Sequence, residues 1–141
     1  MGFIRYFPES DQTKSQKLKN LIEKEFRKIN KNHYKKLKAQ LNHMDEIGAR
    51  YIFTKIEEEN SSKNKTIKVL GTDFYELRVP KQSKTGVFRV YFTILPDNET
   101  ILILDAEYKT ERKARRLESA RKKLEIVKKE CDRYEKFKRS Y

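Results

Sequence analysis

The sequence predicts a single α+β domain over residues 1–141: an N-terminal strand, a helical hairpin, an antiparallel sheet and a long C-terminal helix. Three observations carry that reading. Apolar residues recur at helical spacing between Leu18 and Met44. Four stretches between Thr66 and Tyr108 are β-rich and separated by short polar connections. The chain after Thr110 contains no Gly or Pro and returns to helical spacing.

Taken in order, "GFIRYF" alternates and is β-rich, which predicts a first strand ended by Pro8. "PESDQT" supplies helix caps at Ser10 or Asp11. Leu18, Leu21, Ile22, Phe26 and Ile29 then share a helix face, "NKN" at 30–32 breaks it, and Tyr34, Leu37, Leu41 and Met44 continue on a second helix. Gly48 is the expected C-terminal cap, so a helical hairpin spans residues 14–47. "RYIFTKI" (50–56) is β-prone and ambiguous, and "EEENSSKNK" (57–65), without apolar anchors, is expected to be a mobile polar loop.

"TIKVL", "DFYELRV", "FRVYFTIL" and "TILILDAEY" follow as strands joined by "LGT", "PKQSKTG" and "PDNE". Such short joins predict an antiparallel meander. In the last segment Leu117, Ala120, Leu124, Val127, Cys131 and Tyr134 are spaced three, four, three, four, three, the seam of an amphipathic helix expected to pack on this protein's own sheet. Residues 110–141 carry 13 Lys and Arg against 6 acids, over half of the chain's net charge of +13.

A charge that large draws polyanions such as RNA, ribosomes, an anionic membrane or an acidic protein, unless lysine serves only to solubilise the surface. One cysteine, Cys131, rules out an internal disulfide or a cysteine metal cluster and fits a cytoplasmic setting. The N-terminus has no apolar signal core, and no apolar run nears the ~20 residues of a membrane span. There is no Gly-rich loop and no ligand-spaced His, Cys or carboxylate cluster, so no metal or cofactor is expected. His33, near the start of the second helix, and His43, off its apolar stripe, read as surface residues.

Alternation assigns Tyr75, Leu77 and Val79 to one sheet face with Phe88, Val90, Phe92 and Ile94, and adds Leu102, Leu104 and Ala106 to that apolar set. The opposite face carries Glu76, Arg78, Arg89, Tyr91 and Asp105. Chemistry leaves two meanings open: a solvated face with Glu76–Arg78 or Glu76–Arg89 cross-strand pairs, or two arginines and a tyrosine that grip a phosphodiester and stack a base.

"KVLGTDFYELRV", "FRVYFTI" and "ILILDAEYKTERKARRLESARKKL" resemble the RelE/HigB family of toxin–antitoxin toxins, particularly its phage-derived HigB-like branch. The matching elements are Lys68, Leu70, Gly71, Tyr75-Glu76-Leu77-Arg78, Arg89-Val90 and Tyr108-Lys109, with the specific part confined to residues 68–116. The resemblance implies a twisted antiparallel sheet between the helical hairpin and the last helix. It also implies a type II toxin causing growth arrest: a ribosome-dependent mRNA endonuclease (mRNA interferase) in which the RNA 2′-hydroxyl attacks the adjacent phosphate without a metal.

On that resemblance Arg78, Arg89, and Lys109 or Arg112 stabilise the phosphate, and Tyr91, Tyr108, Lys113, Arg115 and Arg116 contact RNA. The implied partners are a cognate antitoxin, of helix-turn-helix type, and mRNA on the ribosome, with no membrane. Three departures bear on this reading. Asp105 stands where HigB-like members often place a histidine, Lys109 is followed by Thr110 rather than a second lysine, and only Tyr108 or Tyr134 can supply a C-terminal tyrosine. A ParE-like gyrase poison of the same fold and a catalytically inactive basic RNA-binding module are the alternatives. Since the arginines lie off the apolar face, removing Arg89 is expected to leave the fold intact.

Overall fold

Asp11 opens the helical part of the chain by accepting a hydrogen bond from the Lys14 N–H at 3.1 Å, just after the short strand β1 (Ile4–Tyr6). The computed structural model describes residues 2–110 and 115–139, with side chains through Cys131 of the last helix. Helix α1 (Gln12–Asn20) runs through a π-helical segment, Leu21–Glu25, into α2 (Phe26–Ile29). Leu18, Ile22 and Phe26, four residues apart, form one buried ridge across this joint. Asn30 then leaves helical geometry and caps α3 (Lys31–Ile47) through its side-chain oxygen, which accepts from the His33 N–H at 3.0 Å. Leu37, Leu41 and Met44 complete the expected hairpin.

Gly48 ends α3 at φ +80°, where a side chain is strained. The ambiguous segment beyond it is helical: "RYIFTKI" belongs to a third helical arm, α4 (Ala49–Glu58). Its β-branched and aromatic composition masked a helical spacing of three and four, in which Ala49 and Ile52 are buried and Ile56 packs beside them. Nor is the following stretch unanchored. Glu59 is buried, and its carboxylate accepts from the Thr66 N–H at 2.9 Å, the Thr66 hydroxyl at 2.9 Å and the Ile67 N–H at 3.3 Å, with Lys81 Nζ at 2.9 Å. A polar anchor thus ties α4 to the first strand of the meander.

That meander is β2 (Ile67–Gly71), β3 (Phe74–Val79), β4 (Val87–Ile94) and β5 (Ile101–Lys109), consecutive and antiparallel as expected. The sheet as a whole is mixed, however, with order β1-β5-β4-β3-β2, because β1 pairs with β5 in parallel, Ile4 opposite Ile101. The helices between β1 and the meander provide the long crossover that a parallel neighbour requires.

Face assignments hold on β3 and β4, and on β5 for Asp105 and Ala106 but not for Leu102 and Leu104. Tyr91 pairs with Asp105 and Phe92 with Ile103, so Leu104 is an extra residue in a bulge. Ile101, Ile103 and Ala106 therefore join Leu77, Val79, Phe88, Val90, Phe92 and Ile94 under the hairpin and α4. Leu102 and Leu104 lie on the other face with Phe74 and Tyr91. Helix α5 (Leu117–Arg139) covers that second face with Leu117, Ala120, Leu124, Val127 and Cys131, giving three layers: helices, sheet, helix. The face expected to be polar is thus partly a second core. No helix among the described residues is long and apolar enough to cross a membrane.

Candidate functional site

The strands that carry the two arginines place them side by side, with Arg78 and Arg89 cross-strand neighbours and Glu107 on the far side of Arg89. Glu76 sits two residues before Arg78 on the same face and is buried. Both of its carboxylate oxygens accept from Arg89 Nη1 at 2.8 Å, and the nearer lies 3.7 Å from Arg78 Nε. A carboxylate so removed from water requires cations, and the strand register provides two. The Arg89 side chain is only 12% exposed and that of Arg78 28%. The Nε groups of both arginines are buried without a hydrogen-bond acceptor among the described residues.

Lys109, at the end of β5, is on the same face by alternation with Asp105 and Glu107. Burial and the neighbouring Arg89 and Arg78 lower its ammonium pKa from the usual lysine value, against the opposing pull of Glu107 and Glu76. Arg78, Arg89 and Lys109 thus gather at one end of the sheet around two carboxylates. Electrostatically the cluster is cation-rich and donor-rich, suited to oxygens bearing negative charge.

The other residues expected at this site divide. Tyr91 is fully buried, packs in the α5 core against Phe74, and donates its hydroxyl to Glu107 at 2.9 Å. Burial first, then Glu107, raises its pKa well above that of a free tyrosine. It has no face left on which a base could stack, which corrects the sequence expectation. Tyr108 is on the opposite sheet face, with its ring 4.7 Å from that of Phe88 and closely packed on Gly86, so it does not join the arginines either.

Arg116 also departs from the expected RNA contact. Its Nε and Nη2 donate to Asp105 Oδ2 at 3.1 and 2.7 Å, and this partner raises its pKa. The Arg115 side chain is exposed, and its backbone N–H donates to Glu107 at 3.1 Å. Arg112 and Lys113 lie outside the described residues, as does the side chain of Tyr134. His33 engages Asn30 in the first turn of α3 and His43 stacks on Tyr51, so neither approaches the arginines through these contacts.

Two acidic residues shape the site more than the sequence suggested. Glu107 accepts from the Tyr91 hydroxyl and from the backbone N–H groups of Arg115 and Arg116, joining the sheet to the start of α5. Asp105 accepts from Arg116, from Ser119 at 2.8 Å, from Lys123 at 3.1 Å and from the Ala106 N–H at 2.9 Å. Burial pushes its carboxyl up, but the hydrogen bonds from Arg116, Ser119, Ala106 and Lys123 outweigh this and hold it below the usual aspartate range. The available signal was the alternation Asp105, Glu107, Lys109, which places three charged side chains on one face of a strand that is otherwise apolar.

No protein-family model, no curated protein and no solved structure matches this chain.

Proposed function

We propose that this protein is an endoribonuclease toxin of the RelE/HigB type, cutting messenger RNA on the ribosome and held in check by a cognate antitoxin. The observation that carries the reading is the convergence of Arg78, Arg89 and Lys109 at one end of the sheet around the buried Glu76. In the proposed reaction the RNA 2′-oxygen attacks the adjacent phosphorus and the P–O5′ bond breaks, leaving a cyclic phosphate and a 5′-hydroxyl. Negative charge grows on the non-bridging oxygens, where guanidinium groups stabilise it more than in the ground state. Glu76 fixes Arg89 through Nη1 and leaves Nη2 for substrate. The lowered pKa of Lys109 moves an amine in the direction that proton transfer near neutrality requires.

A second reading, RNA binding without cleavage, is favoured by the same Glu76, which neutralises much of the Arg89 charge. Primer extension on ribosome-bound message separates the two. Discrete cuts that appear only with the protein support the toxin. Ribosome or RNA binding without cuts supports the binding module, and loss of gyrase supercoiling without cuts replaces both with a ParE-like activity.

A further inference from the structure

A cleft of about 560 Å³ opens between α3, the start of β2 and the turn after β3, and Arg78 is part of its wall. The volume is in the range of small-ligand clefts, roughly 300–1,000 Å³. Lys36 and Gln40 enter from α3, one helical turn apart, while Lys81 and Gln82 enter from the segment after β3. The glutamine oxygens are already used: Gln40 Oε1 accepts from the Tyr51 hydroxyl at 2.6 Å, and Gln82 Oε1 accepts from Asn64 Nδ2 at 3.1 Å. The two side chains retain their NH₂ donors, and each oxygen keeps one lone pair. Lys81 gives one donor to Glu59 and retains two. The cleft therefore offers donors from five side chains, three of them cationic; Lys81 and Arg78 also face Glu59 and Glu76, Lys36 is an exposed lysine on α3, and Arg78 belongs to the Arg78–Arg89 pair.

We infer that this cleft binds a nucleotide phosphate, with Lys36, Gln40, Lys81 and Gln82 as its donors and Arg78 as the link to the arginine pair. A phosphate ester fits because it presents several acceptor oxygens and no strong donor, the complement of this lining. The phosphate can belong to a free mononucleotide or to a nucleotide within single-stranded RNA. In the second case the cleft holds the residue next to the phosphate at Arg78 and Arg89. This inference rests on the proposed function for the identity of the strand, but not for the existence of the site.

The test is fluorescence anisotropy with a 2′-O-methylated RNA hexanucleotide, which cannot be cleaved by 2′-attack, and competition by adenosine 5′-monophosphate. Lys36→Met is compared with Lys24→Met; both lysines are exposed, and Lys24 does not line the cleft. Lys36→Met should weaken hexanucleotide binding roughly fivefold. It should also lower the slope of log affinity against log salt by about 0.7, the share of one single-strand phosphate contact. Lys24→Met should change neither. Competition by the mononucleotide, lost in Lys36→Met, assigns the cleft to free nucleotides; its absence alongside the Lys36 effect assigns it to RNA. Equal effects of the two variants, or no binding of either probe to wild type, overturn the inference. Lys36-dependent binding without message cleavage leaves the cleft standing and removes the endonuclease, whereas cleavage with Lys36-independent binding does the reverse.

Discussion

Replacing Asp105 with Asn should loosen α5 from the sheet. The carboxylate is buried, and its Oδ2 alone accepts from Arg116 Nε and Nη2, Ser119 Oγ and Lys123 Nζ, at 3.1, 2.7, 2.8 and 3.1 Å. Asn keeps the shape but loses the charge and turns a donor toward cations. A hydrogen bond to a fully buried charge is worth ~1.5–3 kcal/mol. The Arg116 side chain is 50% exposed and that of Lys123 27%, so water recovers part of the loss at each. Taking ~1 kcal/mol for each of the three partners gives a loss of about 3 kcal/mol. For a chain of this length that lowers Tm by about 10 °C.

Urea and thermal unfolding followed by circular dichroism would measure the loss, and a double-mutant cycle with Lys123→Met should show ~1 kcal/mol of coupling. The pH dependence has a fixed sign. Asp105 is held below its unfolded value, so its contribution is complete above ~3.9 and disappears as pH falls through the folded pKa. The gap between wild type and Asp105→Asn should therefore close in acid. A loss under ~1 kcal/mol at neutral pH, or strict additivity with Lys123→Met, would refute the view that Asp105 anchors α5.

Other expectations follow from the same contacts. Glu59→Gln should cost about 2 kcal/mol and speed hydrogen exchange at the Thr66 and Ile67 amides, which are slow in wild type if the carboxylate holds them. Gly48→Ala should destabilise by ~2 kcal/mol or more in denaturant titrations, because φ is +80° and a Cβ would come within 2.7 Å of the Glu99 carbonyl and 2.9 Å of the Phe3 ring. Arg89→Ala should cost ~3 kcal/mol, since it strips the buried Glu76 of its closest cation; Arg89→Lys should cost less by retaining a charge there. Removing Arg89 is therefore expected to cost stability, a cost that its position on a polar-patterned face did not suggest.

Periodicity made the hairpin, the meander and the final helix legible, because Leu37, Leu41 and Met44, or Leu117, Ala120 and Leu124, can share a face in only one geometry. It left α4 ambiguous because Tyr51, Ile52 and Phe53 favour strands in isolation, and tertiary packing of Ala49 and Ile52 decided for a helix. The parallel pairing of β1 with β5 left no local trace, since pairing partners far apart in sequence share no turn. One extra residue at Leu104 was enough to exchange the faces of Leu102 and Leu104. At the candidate site, alternation placed Arg78 and Arg89 together, but the burial of Tyr91 depends on α5 and the capture of Arg116 by Asp105 on a contact across layers. Neither is encoded in strand spacing.

The proposed role of Arg78 and Arg89 is to stabilise charge on a scissile phosphate. Its most direct test is primer extension on ribosome-bound message with wild type, Arg78→Ala and Arg89→Lys, each assayed at a temperature where it is fully folded. Arg89→Lys retains a cation for Glu76 while losing the planar guanidinium, so it separates chemistry from folding. Removing a donor that acts mainly in the transition state costs ~3 kcal/mol, or about a hundredfold in rate. Message cleavage by wild type and a loss near that size in both variants are expected. Cleavage at wild-type rates by both would contradict that role and leave the arginines as counter-ions of Glu76.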